Sequence, residues 1–408
     1  MTKARVVLAA SLIAPAVAAA FEPVDTLPWP SAGRFPAYAA EPVRPTNAWI
    51  QAGAMHDDNI LRRTTSPQSE TVMRLGAGVR HEQRVIGRQN LILEARADYY
   101  DFQEFDSLSH LAYAGLADWR WEVGNQLSGS VRFGRERRLA DLAETQSSDR
   151  TLVTLTRASA DGGYTVTPNL RVRAGAGWSA AERDDRLDPE TRATSFVVGA
   201  DYLTPLRTRL GLEARATEGE APQDEDVFGT LVSNDYTERE VSLVAGYAPG
   251  ARLTADARLG RTTRRYDEIP GRDFEGTTWR VGAEWVPANK TTLAVSFYKE
   301  PRSIIDIAAS HVVVRGVSFG PSWAATAKLV FSARLLREER EFEGDPALLV
   351  AGTTLRDETI DAWRLGVGWE PQRRWQVGVG IASGERTSNV GGRGYDFTAV
   401  TANVAWRY

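Results

Sequence analysis

Tyr164-Thr-Val-Thr-Pro-Asn-Leu-Arg-Val-Arg-Ala-Gly-Ala-Gly-Trp178 decides how the rest of this 408-residue chain is read. Leu170, Val172, Ala174, Ala176 and Trp178 alternate with Arg171, Arg173, Gly175 and Gly177. A period of two sends successive side chains to opposite faces of a strand, here one apolar face and one basic or small face. Ahead of the alternation stand an aromatic, Tyr164, and a tight turn built on Pro168 and Asn169. Pro fixes φ and Asn tolerates turn geometry, so the segment reads as aromatic, turn, strand.

The same unit recurs from Trp121, Tyr202, Tyr247, Trp285, Trp323 and Trp369, with successive aromatic anchors 43, 38, 45, 38, 38 and 46 residues apart. Each repeat is therefore one strand pair with its connections. Comparable alternation runs through Met73 to Arg80, Leu91 to Tyr100, Leu253 to Leu259, Trp279 to Trp285, Trp363 to Trp369, Trp375 to Ile381 and Val400 to Tyr408. Longer polar stretches separate the pairs, such as Asp141 to Arg150, Glu182 to Thr191, Glu218 to Asp235 and Glu339 to Asp357. With a further turn near Gly87 and Arg88, eight tight turns alternate with nine long loops. The fold class expected is all-β: a transmembrane antiparallel up-and-down β-barrel of about 18 strands (16–18), with short periplasmic turns and long extracellular loops. Hydrocarbon tolerates no unpaired backbone donor, so an amphipathic sheet in a membrane must close on itself. The chain ends Val400, Ala402, Val404, Trp406, Tyr408 on alternate positions, and Trp406 with Tyr408 resembles the C-terminal signal that such barrels present to the barrel assembly machinery.

Three segments are expected. Residues 1–20 read as a signal peptide, with Lys3 and Arg5 ahead of an apolar stretch and Ala18 to Ala20 as the cleavage site. Residues 21–46 form a Pro-rich periplasmic arm, read as a lumen plug, a docking segment or a linker, and residues 47–408 form the barrel. Of 49 Lys+Arg, Lys3 and Arg5 leave with the leader; the remaining 47 face 53 Asp+Glu, a formal charge of −6. No apolar run approaches the roughly 18 residues of a membrane helix. With no cysteine there is no disulfide framework or thiolate metal site, and four scattered histidines lack metal-ligand spacing. No cofactor is expected. There is no GxSxG elbow, and Ser109 and His110 point to opposite faces of a strand, so the chain is read as a non-enzyme. The arginines alternate with apolar residues and form no basic helix or arm, which argues against nucleic acid.

Several strings resemble a known family. AGAMHDDNILRR (Ala52 to Arg63) resembles the opening motif of EpsL-like proteins, outer-membrane barrels of exopolysaccharide biosynthesis that include exosortase-associated members. YYDFQEF from Tyr99, the W-x-x-G-N-x-x-SG run from Trp121, RDFEG from Arg272 and EREFEGDP from Glu339 continue the resemblance in order. The arm has no match in that pattern. The resemblance implies a part in moving a polysaccharide across the outer membrane, together with periplasmic components of an export system.

The face opposite the apolar one carries Arg74, Arg80, Arg96, Arg120, Arg132, Arg171, Arg173, Arg215, Arg258, Arg280, Arg334 and Arg364, with Glu94, Asp98, Asp118, Glu213, Asp256 and Glu284. This set describes a net-positive lumen, which favours anions because guanidinium holds carboxylate or sulfate in a bidentate fork. Tyr100 is the candidate stacking surface for a glycan. Two readings of these charges stand: a path for an anionic or hydroxyl-rich glycan, or cross-strand salt-bridge ladders that stiffen a wet wall. For the whole protein, a diffusion porin, general or substrate-selective, is the alternative to a glycan conduit. Acid-rich loops around Asp57, Asp184 and Glu218 are read as solvated surface beside outer-membrane lipid and lipopolysaccharide. The stretch Glu339 to Asp357, with the apolar patch Ala347 to Val350, is the expected inward constriction.

Overall fold

The computed structural model describes residues 45–184, 191–206, 208–221, 225–227, 230–250, 252–268, 270–303, 311–343 and 355–408. The leader and most of the arm lie outside the described residues; the first strand begins at Thr46. Nine strands precede the longest loop: β1 (Thr46–Asp57), β2 (Glu70–Arg84), β3 (Asn90–Phe102), β4 (His110–Val123), β5 (Leu127–Leu139), β6 (Leu152–Thr167), β7 (Leu170–Arg183), β8 (Thr191–Leu203) and β9 (Thr208–Glu220). A small hairpin, β10 (Glu225–Val227) and β11 (Thr230–Val232), stands within that loop. Nine more strands follow: β12 (Tyr236–Tyr247), β13 (Leu253–Tyr266), β14 (Phe274–Ala288), β15 (Thr291–Ser303), β16 (His311–Ala324), β17 (Leu329–Glu343), β18 (Asp357–Gln372), β19 (Trp375–Ser388) and β20 (Tyr395–Arg407).

Among the described residues, eighteen of these strands make one antiparallel sheet in which chain neighbours pair and β9 pairs with β12. The sheet closes where β1 meets β20, from Trp49 opposite Arg407 to Asp57 opposite Ala399. Connections alternate between two to five residues at one end and six to fifteen at the other. Both ends of the sheet's chain, Thr46 and Arg407, lie at the short-turn end, as an even number of strands requires.

The apolar members of each alternation point outward. Leu75, Leu212 and Val241 are 66%, 59% and 61% exposed, whereas the inward Arg74, Asp98 and Glu213 are buried. This is a soluble fold inverted, stable only with hydrocarbon against its outer wall. Tyr164, Tyr202, Tyr247, Trp285, Trp323, Trp369 and Trp375 face outward near the short turns. Tyr99, Trp178 and Trp363 face outward nearer the other end. Amphipathic rings sit best at headgroup level, so these sets mark the two membrane interfaces. The chain is an outer-membrane β-barrel. An arginine in place of outward Leu243 is expected to destabilise the folded barrel by about 2–4 kcal/mol, read as a lower urea midpoint in vesicles. The same substitution at inward, exposed Thr254 avoids the lipid and is expected to lack that penalty.

Candidate functional site: an arginine-lined lumen and an inward loop

Strand parity delivers Arg74, Arg80, Arg96, Arg120, Arg132, Arg171, Arg173, Arg215, Arg258, Arg280, Arg334 and Arg364 to the inner wall. Most meet carboxylates there. Arg74 lies 2.9 Å from Asp98, which also accepts a 2.6 Å hydrogen bond from Gln51. Asp118 takes Arg120 at 2.8 Å and Arg132 at 3.2 Å, Glu94 takes Arg80 at 3.1 Å, and Glu136 takes Arg96 at 3.7 Å. Arg171 donates to Ser128 Oγ at 2.9 Å. Arg334 and Arg364 stand opposite each other across β17 and β18; Arg334 is exposed and makes no ion pair among the described residues. The ring of Tyr100 is stacked on His110, centroids 5.1 Å apart, and the Arg74 guanidinium carbon lies 5.6 Å from its centre.

A longer series climbs the wall from the short-turn end of β7 to the loop end of β19. Arg173 contacts Asp201 at 3.0 Å and Glu213 at 2.6 Å, and Glu213 also takes Arg215 at 3.0 Å and Arg258. Arg258 reaches Glu240 at 2.8 Å, and Arg280, its cross-strand partner, turns the other way to Glu300 at 2.7 Å. Arg302 and Arg340 share Glu338, at 3.2 and 2.7 Å, and the Tyr298 hydroxyl donates to the same carboxylate at 2.8 Å. Arg173 Nη2 and Arg209 Nε are buried with no hydrogen-bond partner among the described residues.

The lumen is nearer to charge balance than twelve arginines against six carboxylates. The register adds inward Glu136, Asp161, Asp201, Glu238, Glu240, Glu300, Glu338 and Glu358, and also Arg209, Arg264, Arg302, Arg340 and Arg386. Most of these sit toward strand ends, where the apolar alternation fades and the outward face also becomes polar. Parity is hard to assign there from sequence alone.

At the loop end, residues 140–151 turn into the lumen. Asp141 caps a one-turn helix, α1 (Leu142–Thr145), by accepting the Ala143 N–H at 2.9 Å, and Gln146 ends it in the left-handed region at φ 49°. Leu142 and Ala143 bury among Met55, Leu61, Phe102, Leu108, Tyr395 and Phe397. Glu144 then spans to the far wall, where Arg340, Arg356 and Arg386 approach it at 3.0, 3.1 and 3.1 Å. Arg386 also donates to the Ala143 carbonyl at 2.8 Å, and Arg393 to that of Glu144 at 2.9 Å. Beneath the loop, residues 58–69 are pinned by Arg62, paired with Asp57 at 2.7 and 2.8 Å and lying 3.7 Å over the Phe397 ring. Glu70 gathers the N–H groups of Gln103, Glu104 and Phe105 at 3.0, 3.1 and 2.8 Å, which fixes the next loop.

The constriction expected at Glu339 to Asp357 falls largely on residues 344–354, outside the described residues. Loop 140–151 was missed as an inward element, although its signal was present. Leu139 to Ala143 holds four apolar residues around Asp141, a helix-cap type, and a solvated loop has no use for them.

Burial pushes the Glu144 carboxyl up, but Arg340, Arg386 and Arg356 outweigh it and hold the group below the ordinary glutamate value. A depressed acid stabilises the folded arrangement above its unfolded pKa, about 4.3, and that contribution is lost as pH falls through the depressed value. The loop's hold is therefore expected to persist at mild acidity and to fail only below the ordinary glutamate range, seen as new conductance transitions in planar bilayers. Release at pH 5–6 would contradict this assignment.

No family model matches the sequence, and no curated protein matches it. Solved structures similar to this chain include OpdK of Pseudomonas aeruginosa with vanillate, at 12% identity and TM-score 0.48, covering 89% of this chain and 99% of that one. OccK2 (OpdF) of the same organism, in complex with glucuronate, shows 15% identity and TM-score 0.46 over 89% and 97% of the two chains. OccAB3 of Acinetobacter baumannii shows 10% identity and TM-score 0.45 over 89% and 99%.

Proposed function

We propose that this barrel is a substrate-selective diffusion channel for small anionic solutes. The observation that carries the reading is the arginine series on the inner wall, Arg340, Arg302, Arg280, Arg258 and Arg215, bounded by the enclosed Arg386 at the loop-held mouth and the enclosed Arg173 near the short turns. Each guanidinium is already oriented by a carboxylate neighbour. A passing anion therefore meets fixed donors and moves from one to the next without a deep trap, since conduction needs binding strong enough to enter and weak enough to leave. The loops packed across the mouth supply selection by size.

The finer reading, passage of a glycan chain within an exopolysaccharide system, rests on the motif resemblance. Loop 140–151, tied across the lumen, favours small solutes over a polymer. Conductance of the refolded chain in planar bilayers tests both, with monovalent organic anions, polyanionic oligosaccharides and neutral oligosaccharides added in turn. Salt-sensitive interaction with small anions supports the proposal. Blockade by long oligosaccharides alone would favour the glycan conduit, and indifference to all three would reduce the protein to a general porin.

A further inference from the structure

The outward faces of the strands, above the apolar band and toward the long loops, are not uniform in charge. On β17 to β20 they carry Arg337 against Glu339, Glu341, Asp357, Asp361, Glu385 and Asp396. On β12 to β16 the balance reverses: Arg239, Arg261, Arg265, Lys299 and Arg315 share that face with Glu275 and with Asp273 just before β14, while Glu341 reaches in from β17.

Those carboxylates are spoken for. Glu275 is paired with Arg261 and Arg265, Asp273 with Arg265 at 3.2 Å, and Glu341 with Arg315 at 2.8 Å. Exposed Arg239 and half-buried Lys299 make no ion pair or hydrogen bond among the described residues. Lys299 is also placed badly for a barrel on its own, because its cross-strand partner on one side is Arg315. Like charges directly opposed on one face repel. On the other side its partner is Trp279, an outward ring. An indole at that height marks the interface of the outer leaflet, so the surplus positive charge lies at the depth of lipid headgroups.

We infer that the outward face of β12 to β16 binds a phosphorylated glycolipid of the outer leaflet, with Lys299 and Arg239 as the phosphate contacts and Trp279 against the sugar and upper acyl chain. A phosphate beside Lys299 supplies the counter-charge that the protein itself does not, since Glu341 is already held by Arg315. The site is separate from the lumen and does not depend on what the channel passes.

The test uses the full mature chain, refolded and incorporated into nanodiscs that contain phosphatidylethanolamine with either diphosphoryl or dephosphorylated lipid A. Lipid retained after detergent washing is counted by native mass spectrometry. The parent chain is expected to retain diphosphoryl lipid A over the dephosphorylated form. The double variant Arg239→Gln, Lys299→Gln is expected to lose roughly 10- to 30-fold of that preference, the effect of two interfacial cations. Arg337→Gln, in the acidic sector, is expected to leave it unchanged, and an unaltered heat-dependent gel shift shows that all three are folded. Equal retention by the double variant, equal retention of the dephosphorylated lipid, or full displacement by inorganic phosphate at millimolar concentration would each overturn the inference, the last by reducing the site to one for free anions.

Discussion

Glu144→Gln is expected to free loop 140–151 and to add switching between a restricted and a wider open level that the parent lacks. The carboxylate is the only acidic group that α1 extends to Arg340, Arg356 and Arg386, and two of these, Arg340 and Arg386, lie on the wall strands β17 and β19. Glutamine keeps the length and one acceptor oxygen but loses the charge. Hydrogen bonds to charged groups contribute about 1.5–3 kcal/mol each when buried, and Glu144 is partly solvated, so a net loss of about 1–3 kcal/mol is the reasonable scale. That corresponds to roughly a 5- to 150-fold rise in the time the loop spends off the wall. Three guanidiniums are simultaneously left facing the lumen, so the wider level is expected to be more anion-selective than the parent's. Unchanged current traces would mean that the burial of Leu142 and Ala143 alone holds the loop, with Glu144 incidental.

The second large effect is expected at Glu213, which is 6% exposed and accepts Arg173, Arg215 and Arg258 together. Glu213→Gln leaves three guanidiniums crowded around a neutral amide. Breaking a buried ionic cluster by removing one partner typically costs about 3–5 kcal/mol, so a clear fall in the urea midpoint is expected. In the fraction that folds, anion preference is expected to rise. Arg258→Gln is expected to move selectivity the other way at smaller structural cost, since Arg173 and Arg215 still occupy Glu213. If both variants shifted selectivity in the same direction, the wall charges would not be setting it.

The fold was legible because membrane and sequence share one rule. Each aromatic anchor, turn and alternation is imposed locally by the lipid on one side and water on the other, so eighteen strands could be counted without knowing which residues touch. Pairings inside the lumen are different. Arg173 on β7 meets Glu213 on β9, two strands and forty positions away, lying flat across β8. Gly199 lies under that crossing, where an added Cβ would meet the Leu212 carbonyl at 2.8 Å and crowd the Arg173 guanidinium at 3.1 Å, and Gly211 leaves the room that Asp201 occupies. In sequence these glycines look like featureless members of the polar row. Their role emerges only once the tilt of the strands fixes which rows align. Loop 140–151 was obscured for a related reason: its buried face is completed by Met55, Phe102 and Tyr395, residues of three other segments whose convergence no local pattern announces.

The central claim, an anion-selective lumen set by its arginine series, is tested most directly by the reversal potential of single channels across a tenfold potassium chloride gradient at neutral pH. A potential of the sign for chloride preference, which shrinks when Arg173, Arg258 and Arg280 are together replaced by glutamine, is the expected result. A cation-selective potential, or one unmoved by the triple replacement, would contradict it.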